Sequence, residues 1–131
     1  MGDTLPRMPM SFVSVTPLIP AGPSLDEALR LYVGHLGFHV TWQGPGMAGI
    51  ERDGVGFNLV QNEDRNWAEN SSYSIGVHGL VALYDAWRES VPARIGPLVR
   101  KPWDRVEFHM IVPSGVCFQF YEAVAHDPHD H

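Results

Sequence analysis

The six residues Gly54-Val55-Gly56-Phe57-Asn58-Leu59 return, lightly altered, as Gly115-Val116-Cys117-Phe118-Gln119-Phe120. A 131-residue chain that repeats itself this way reads as two copies of one structural unit. Together they have the length of one ordinary domain, enough to bury a real core. The signals around each copy recur in the same order. In the first half, residues 11–19 alternate and are rich in β-branched side chains, which predicts a strand that Pro20-Ala21-Gly22-Pro23 ends. Ser24 followed by Glu27 is a capping-box pattern, and Leu25, Ala28, Leu29, Tyr32 and Leu36 recur at helical spacing. Gly37 is the expected stop, because glycine accepts the left-handed turn after a helix. Strands are expected at 38–43, 49–52 and 55–61, with Asp53-Gly54 as the hairpin turn between the last two.

After a polar, aperiodic stretch at 62–72, the best linker candidate, the series starts again. Residues 73–77 read as a strand, and Leu80, Leu83, Tyr84 and Trp87 as a helix stripe. Further strands are expected near 96–99, 106–112 and 116–121, with Pro113-Ser114-Gly115 turning the chain between the last two. Ala28 lines up with Ala82 when the helices are superposed in sequence. The result is two tandem β-α-β-β-β modules in a single α+β domain spanning 1–131: module one about 11–61, module two about 73–122. Residues 123–131, with the end run His126-Asp127-Pro128-His129-Asp130-His131, read as a tail too short and polar to pack. A parallel α/β sheet is excluded, because three strands follow one another with no helix between them.

Composition narrows the partners. A formal charge of −6 with nine Lys and Arg leaves no basic stripe for phosphates, so nucleic acid is not the expected partner. No apolar run reaches the ~18–20 residues that span a bilayer, which gives no expectation of a membrane partner. Cys117 is the one cysteine, and residues 1–10 show no apolar leader segment; the expected location is cytoplasmic.

Paired β-α-β-β-β units resemble the layout of the glyoxalase/bleomycin resistance protein/dioxygenase (vicinal oxygen chelate) superfamily. Four segments tighten the resemblance. Leu36-Gly37-Phe38 is similar to the family's Leu-Gly-Phe, and residues 47–54 look like its hairpin entering the fourth strand. Residues 79–87 resemble the second helix of bleomycin-binding proteins. Lys101-Pro102-Trp103 with Glu107-Phe108 is similar to the Pro-Trp-Gly…Glu-Phe segment of the bleomycin-resistance branch. The likeness runs from about Ser11 to Glu122. There are departures: Asp104 stands where the family has glycine, and Ser74 and Gly76 stand where some bleomycin binders carry tryptophan. The resemblance implies a curved, cup-like mixed sheet with helices on its outer face, and a homodimer that forms cups between subunits.

Metal-dependent relatives hold a divalent cation at four strand positions, and alignment puts Thr16 or Pro17, Asn58, Tyr73 or Ser74, and Gln119 there. None is a histidine or carboxylate, so no metal and no cofactor is expected. Strand alternation sends Phe118 and Phe120 to the helix side and leaves Asn58 and Gln119 on the concave side, beside small Gly56 and Cys117. Aromatic walls are expected from Trp42, Trp67, Trp103 and Tyr121. No catalytic residue stands out. The reading is a non-catalytic protein that binds and sequesters an aromatic or cationic, antibiotic-like small molecule. A metal-dependent lyase, isomerase or dioxygenase of the same superfamily is the first alternative, and a structural dimer with a vestigial cup the second.

Overall fold

The repeated segments become the inner strands of two sheets. In the computed structural model, which describes residues 5–124, the first module holds β1 (Leu18–Pro20), α1 (Leu25–Gly34), β2 (His39–Gly44), β3 (Met47–Arg52) and β4 (Val55–Val60). The second holds β5 (Ser72–Gly76), α3 (Leu80–Ser90), β6 (Val99–Lys101), β7 (Arg105–Ile111) and β8 (Cys117–Ala123), with a short α2 (Arg65–Glu69) between the modules. The strands form two four-stranded mixed sheets, ordered β1-β4-β3-β2 and β5-β8-β7-β6. In each, the first strand runs parallel to the last and the other pairings are antiparallel. The α+β arrangement of two β-α-β-β-β units is therefore the observed one.

Alternation along β4 and β8 decides which side is core. Phe57, Leu59, Phe118 and Phe120 are buried under the helices. Phe57 and Phe118 meet at a ring-centroid distance of 5.7 Å, and Tyr32 of α1 packs edge-on against Phe118 of the other module. Trp87 of α3 stands edge-on to Phe120 at 5.0 Å. One aromatic core thus serves both halves, as two undersized modules require. The buried positions also fix how the helices correspond. Leu25, Tyr32 and Leu36 match Leu80, Trp87 and Val91, an offset of 55 residues that pairs Ala28 with Leu83. The Ala28–Ala82 pairing read from sequence is one residue out of phase, because Ala82 is exposed.

Several boundaries differ from the sequence reading. The strand expected at 11–19 shrinks to Leu18–Pro20; residues 11–16 are exposed and outside any strand. Their alternation is genuine, but the ladder with β4 begins only at Leu18, opposite Asn58. The stretch 62–72 is no plain linker. Asp64 accepts from the amides of Asn66 and Trp67 and starts α2, while Ser72 already belongs to β5. The strand expected at 96–99 lies at Val99–Lys101, since Pro97 has no amide to give and Ile95 makes only an isolated bridge to Met110. Asp53 (φ 52) and Gly54 (φ 83) are both left-handed, as a two-residue hairpin turn demands. The tail expected at 123–131 loses Ala123 to β8, and residues 125–131 lie outside the described residues. Among the described residues no helix is long and apolar enough to cross a membrane.

Helix α3 begins at Gly79, which has no side chain with which to cap it. The cap comes from β8: Glu122 accepts from the amides of Gly79 and Leu80, both at 3.1 Å. These amide bonds, together with His78 nearby, hold the Glu122 carboxyl below its usual pKa. A folded-state pKa below the unfolded one adds stability above the carboxylate range, and that stability disappears as pH falls through it. Glu122→Gln is expected to lower the midpoint of thermal unfolding by a few degrees at pH 7. Measured at a pH below the folded-state pKa, the difference from the parent should close; a deficit that stays constant with pH would contradict the cap.

Candidate functional site

The sheet faces opposite the core carry the candidate site. Trp42, Gly49 and Asn58 lie in one cross-strand row of the first sheet, with Leu18 next to Asn58 on β1. The Trp42 indole crosses above Gly49 and its Nε1 donates to Asn58 Oδ1 at 3.3 Å. Gly49 permits this crossing, because a Cβ there would collide with Trp42 Nε1 and Thr41 Oγ1. The register shift between Val40 and Trp42 turns the strand so that the indole reaches across.

The matching row of the second sheet is Ser74, Gln119 and His109. Gln119 Oε1 accepts from Ser74 Oγ at 3.2 Å and its Nε2 donates to Ser72 Oγ at 3.1 Å. Both amides thus sit on the open faces, half-buried, each held by a neighbour on its own sheet. Tyr121 is one step further along β8. Its ring lies against Gly76, and the Arg105 guanidinium covers it 3.5 Å from the centroid. The face Tyr121 offers is already occupied, so a flat ligand there would meet the guanidinium plane.

Beside it lies a cluster that the sequence reading did not single out as a site. Glu107 is buried, yet it faces the open side, ringed by Lys101 at 3.5 Å, Arg105 at 3.4 Å and His109 at 3.4 Å. The signal was present: in β7 Arg105, Glu107 and His109 alternate, so all three share one face. Trp103, in the turn between β6 and β7, is 63% exposed, with Lys101 Nζ 5.9 Å from its ring centre. Trp67 is placed elsewhere in the fold, half-buried on α2, which packs against β1. Cys117 also faces the open side, and burial pushes its thiol pKa up, away from the thiolate a nucleophile needs.

The chain matches no protein-family model and no curated protein. Solved structures do match. The bleomycin-binding protein from bleomycin-producing Streptomyces verticillus, solved with copper(II)-bleomycin, superposes with TM-score 0.74 at 22% identity, over 89% of this chain and 99% of that one. A bleomycin resistance determinant encoded on the transposon Tn5 gives 0.75 at 16% identity, over 86% and 98%. A glyoxalase/bleomycin resistance protein/dioxygenase from Nocardioides gives 0.67 at 16%, over 92% and 90%.

The fold is the glyoxalase/bleomycin-resistance fold. Its strand register corrects the alignment used for the metal positions: the residue opposite Asn58 is Leu18, not Thr16 or Pro17, and the residue opposite Gln119 is Ser74. A methyl-bearing side chain, two amides and a hydroxyl do not make a divalent-cation site, and the donor set does not fit a catalytic metal. The turn after Trp103 explains one departure from the family's sequence. Asp104 takes φ 58, the conformation a glycine adopts freely and aspartate tolerates, so the turn survives the exchange.

Gly49→Ala should displace the Trp42 ring at a stability cost of about 1–3 kcal/mol, since a side-chain end and not backbone has to move. The expected readout is a shift of the Trp42 indole N–H and Asn58 side-chain amide resonances. Unchanged resonances would mean that the glycine has no part in placing the indole.

Proposed function

We propose that this protein binds a small, flat aromatic molecule on the open faces of its two sheets and holds it without chemical change. This is the sequestering role that bleomycin-binding proteins of the same fold suggest. One observation carries the reading: uncharged amides and hydroxyls occupy the row where a catalytic member would need metal ligands, with exposed Trp42 bonded to Asn58 and exposed Trp103 in the β6–β7 turn. An apolar surface with a few placed polar groups is how small-molecule sites are built. Of the two ligand chemistries, the aromatic one is favoured over the cationic. A cation on the second sheet would meet Lys101 and Arg105, whose charges outnumber that of Glu107.

The working unit in this reading is a homodimer in the cytoplasm. Met10, Phe12, Val13 and Val15 are each at least 87% exposed, a run of apolar side chains that a second copy would cover. Ile111 and Trp103 are likewise exposed, at 54% and 63%. Deleting residues 1–15 is expected to convert a dimer to a monomer in analytical ultracentrifugation, and a full chain that sediments as a monomer would remove the dimer from the proposal.

Bleomycin added to the full chain is expected to quench tryptophan emission saturably. Trp42→Ala and Trp103→Ala should each weaken binding about tenfold or more, ~1.4 kcal/mol, as buried aromatic anchors do. Affinity unaffected by both substitutions would place binding away from these walls.

A further inference from the structure

We infer a second, separate binding site: a cavity of about 270 Å³ between the two modules, on the helix side of the sheets, shaped for a small uncharged carbonyl compound. Its walls are one face of α1, at Ala28, Leu31 and Tyr32, and the β7–β8 turn at Val112, Pro113 and Ser114. Neither Asn58 nor Gln119 lines it. It therefore stands apart from the open sheet faces and does not depend on what binds there.

Two hydroxyls mark the cavity as a site rather than a packing gap. Tyr32 is 2% exposed and Ser114 7% exposed, and neither Tyr32 Oη nor Ser114 Oγ has a hydrogen-bond partner among the described residues. Buried polar groups are nearly always paired, and an orphaned one is destabilising, so two on the wall of one cavity call for an occupant. Burial raises the Tyr32 pKa further above its ordinary value, so the phenol stays protonated and remains a donor throughout the neutral range.

The internal repeat shows that this feature is particular to one end of the molecule. The equivalent helix position in module two is Trp87 and the equivalent turn position is Asp53, by offsets of 55 and 61 residues. An indole and an exposed carboxylate there provide no counterpart to the buried hydroxyl pair. The fold does not demand the hydroxyls: the equivalent positions at the other end of the described residues lack them.

The chemistry of the walls selects the ligand class. Glu27 and Arg65 also line the cavity, but both side chains are exposed to water and Arg65 is tied to Glu69 at 3.0 Å, so solvent screens what they offer an ion. The remaining wall is largely aliphatic, at Ala21, Ala28, Leu31 and Val112. A carbonyl oxygen has two lone pairs and no proton, and it accepts from hydroxyl donors without leaving a donor of its own unpaired. A ketone or lactone on a short hydrocarbon frame meets these conditions. The volume falls just below the ~300–1,000 Å³ of drug-sized sites, which sets the ligand at the small end.

The test is a titration of the full chain with cyclohexanone, followed by amide resonances, with cyclohexane and cyclohexanecarboxylate as controls. Cyclohexanone is expected to shift signals in residues 21–32 and 112–114 saturably, and neither control should match it. Tyr32→Phe keeps the ring packing and Ser114→Ala removes only an oxygen; each should weaken cyclohexanone binding about three- to tenfold. Signals that move at Asn58 and Gln119 instead, or affinity unchanged in the Tyr32→Phe/Ser114→Ala double variant, would overturn the inference. So would an absence of saturation in a protein whose cavity holds ordered water bonded to both hydroxyls.

Discussion

The contact between Phe57 and Phe118 is what the rest of the structure depends on. These residues occupy the same position in the two copies of the repeat, on inner strands of separate sheets. A unit of about half this chain cannot exclude enough water to stand alone, so the ring of one unit becomes the core of the other. Phe38 and Tyr32 extend the contact on one side, and Phe120, Phe108 and Trp87 on the other. Once those rings face inward, the strand pleat leaves no choice about their neighbours: Asn58 and Gln119 point away from the helices. The polar character of the open faces is thus a direct product of the packing of the core.

That dependence explains why so much was legible from sequence. The repeat, the Phe-x-Leu and Phe-x-Phe alternation, and the capping pair Ser24 and Glu27 each report local physics, and local physics determined the elements around them. Residues 11–16 misled for an equally physical reason. Phe12, Val13 and Val15 have strand propensity, but a strand needs a partner, and propensity carries no information about whether the chain runs alongside one. Helix α2 went unread because five residues are too few to show a period; only Asp64 as a cap betrayed it.

The site was legible in its amides and less so in its surroundings. Trp42 reaches Asn58 because of a bulge in β2 and a glycine in the next strand, and neither can be paired with the other before the register is known. Tyr121 reads as an open wall until Arg105, on the neighbouring strand β7, is found lying on it. Glu107 shows the same limit: its neighbours Lys101, Arg105 and His109 come from β6 and β7, and a buried carboxylate so surrounded holds that stretch of sheet in one arrangement. The open face of the second sheet is thus organised around Glu107, Lys101 and Arg105, while that of the first is shaped around a single indole and the amide it bonds.

Glu122 carries a consequence for how the molecule comes into being. The helix it closes begins 42 residues earlier in the chain. As the polypeptide leaves the ribosome, α3 must wait, with its first amides bare, for β7 and β8 to emerge and pair. Until then the second module lacks both its inner strand and the carboxylate that finishes its helix, and the rings meant to receive Phe118 and Phe120 stay open to other apolar surfaces. The second module is therefore completed by the strand that carries the second copy of the repeat.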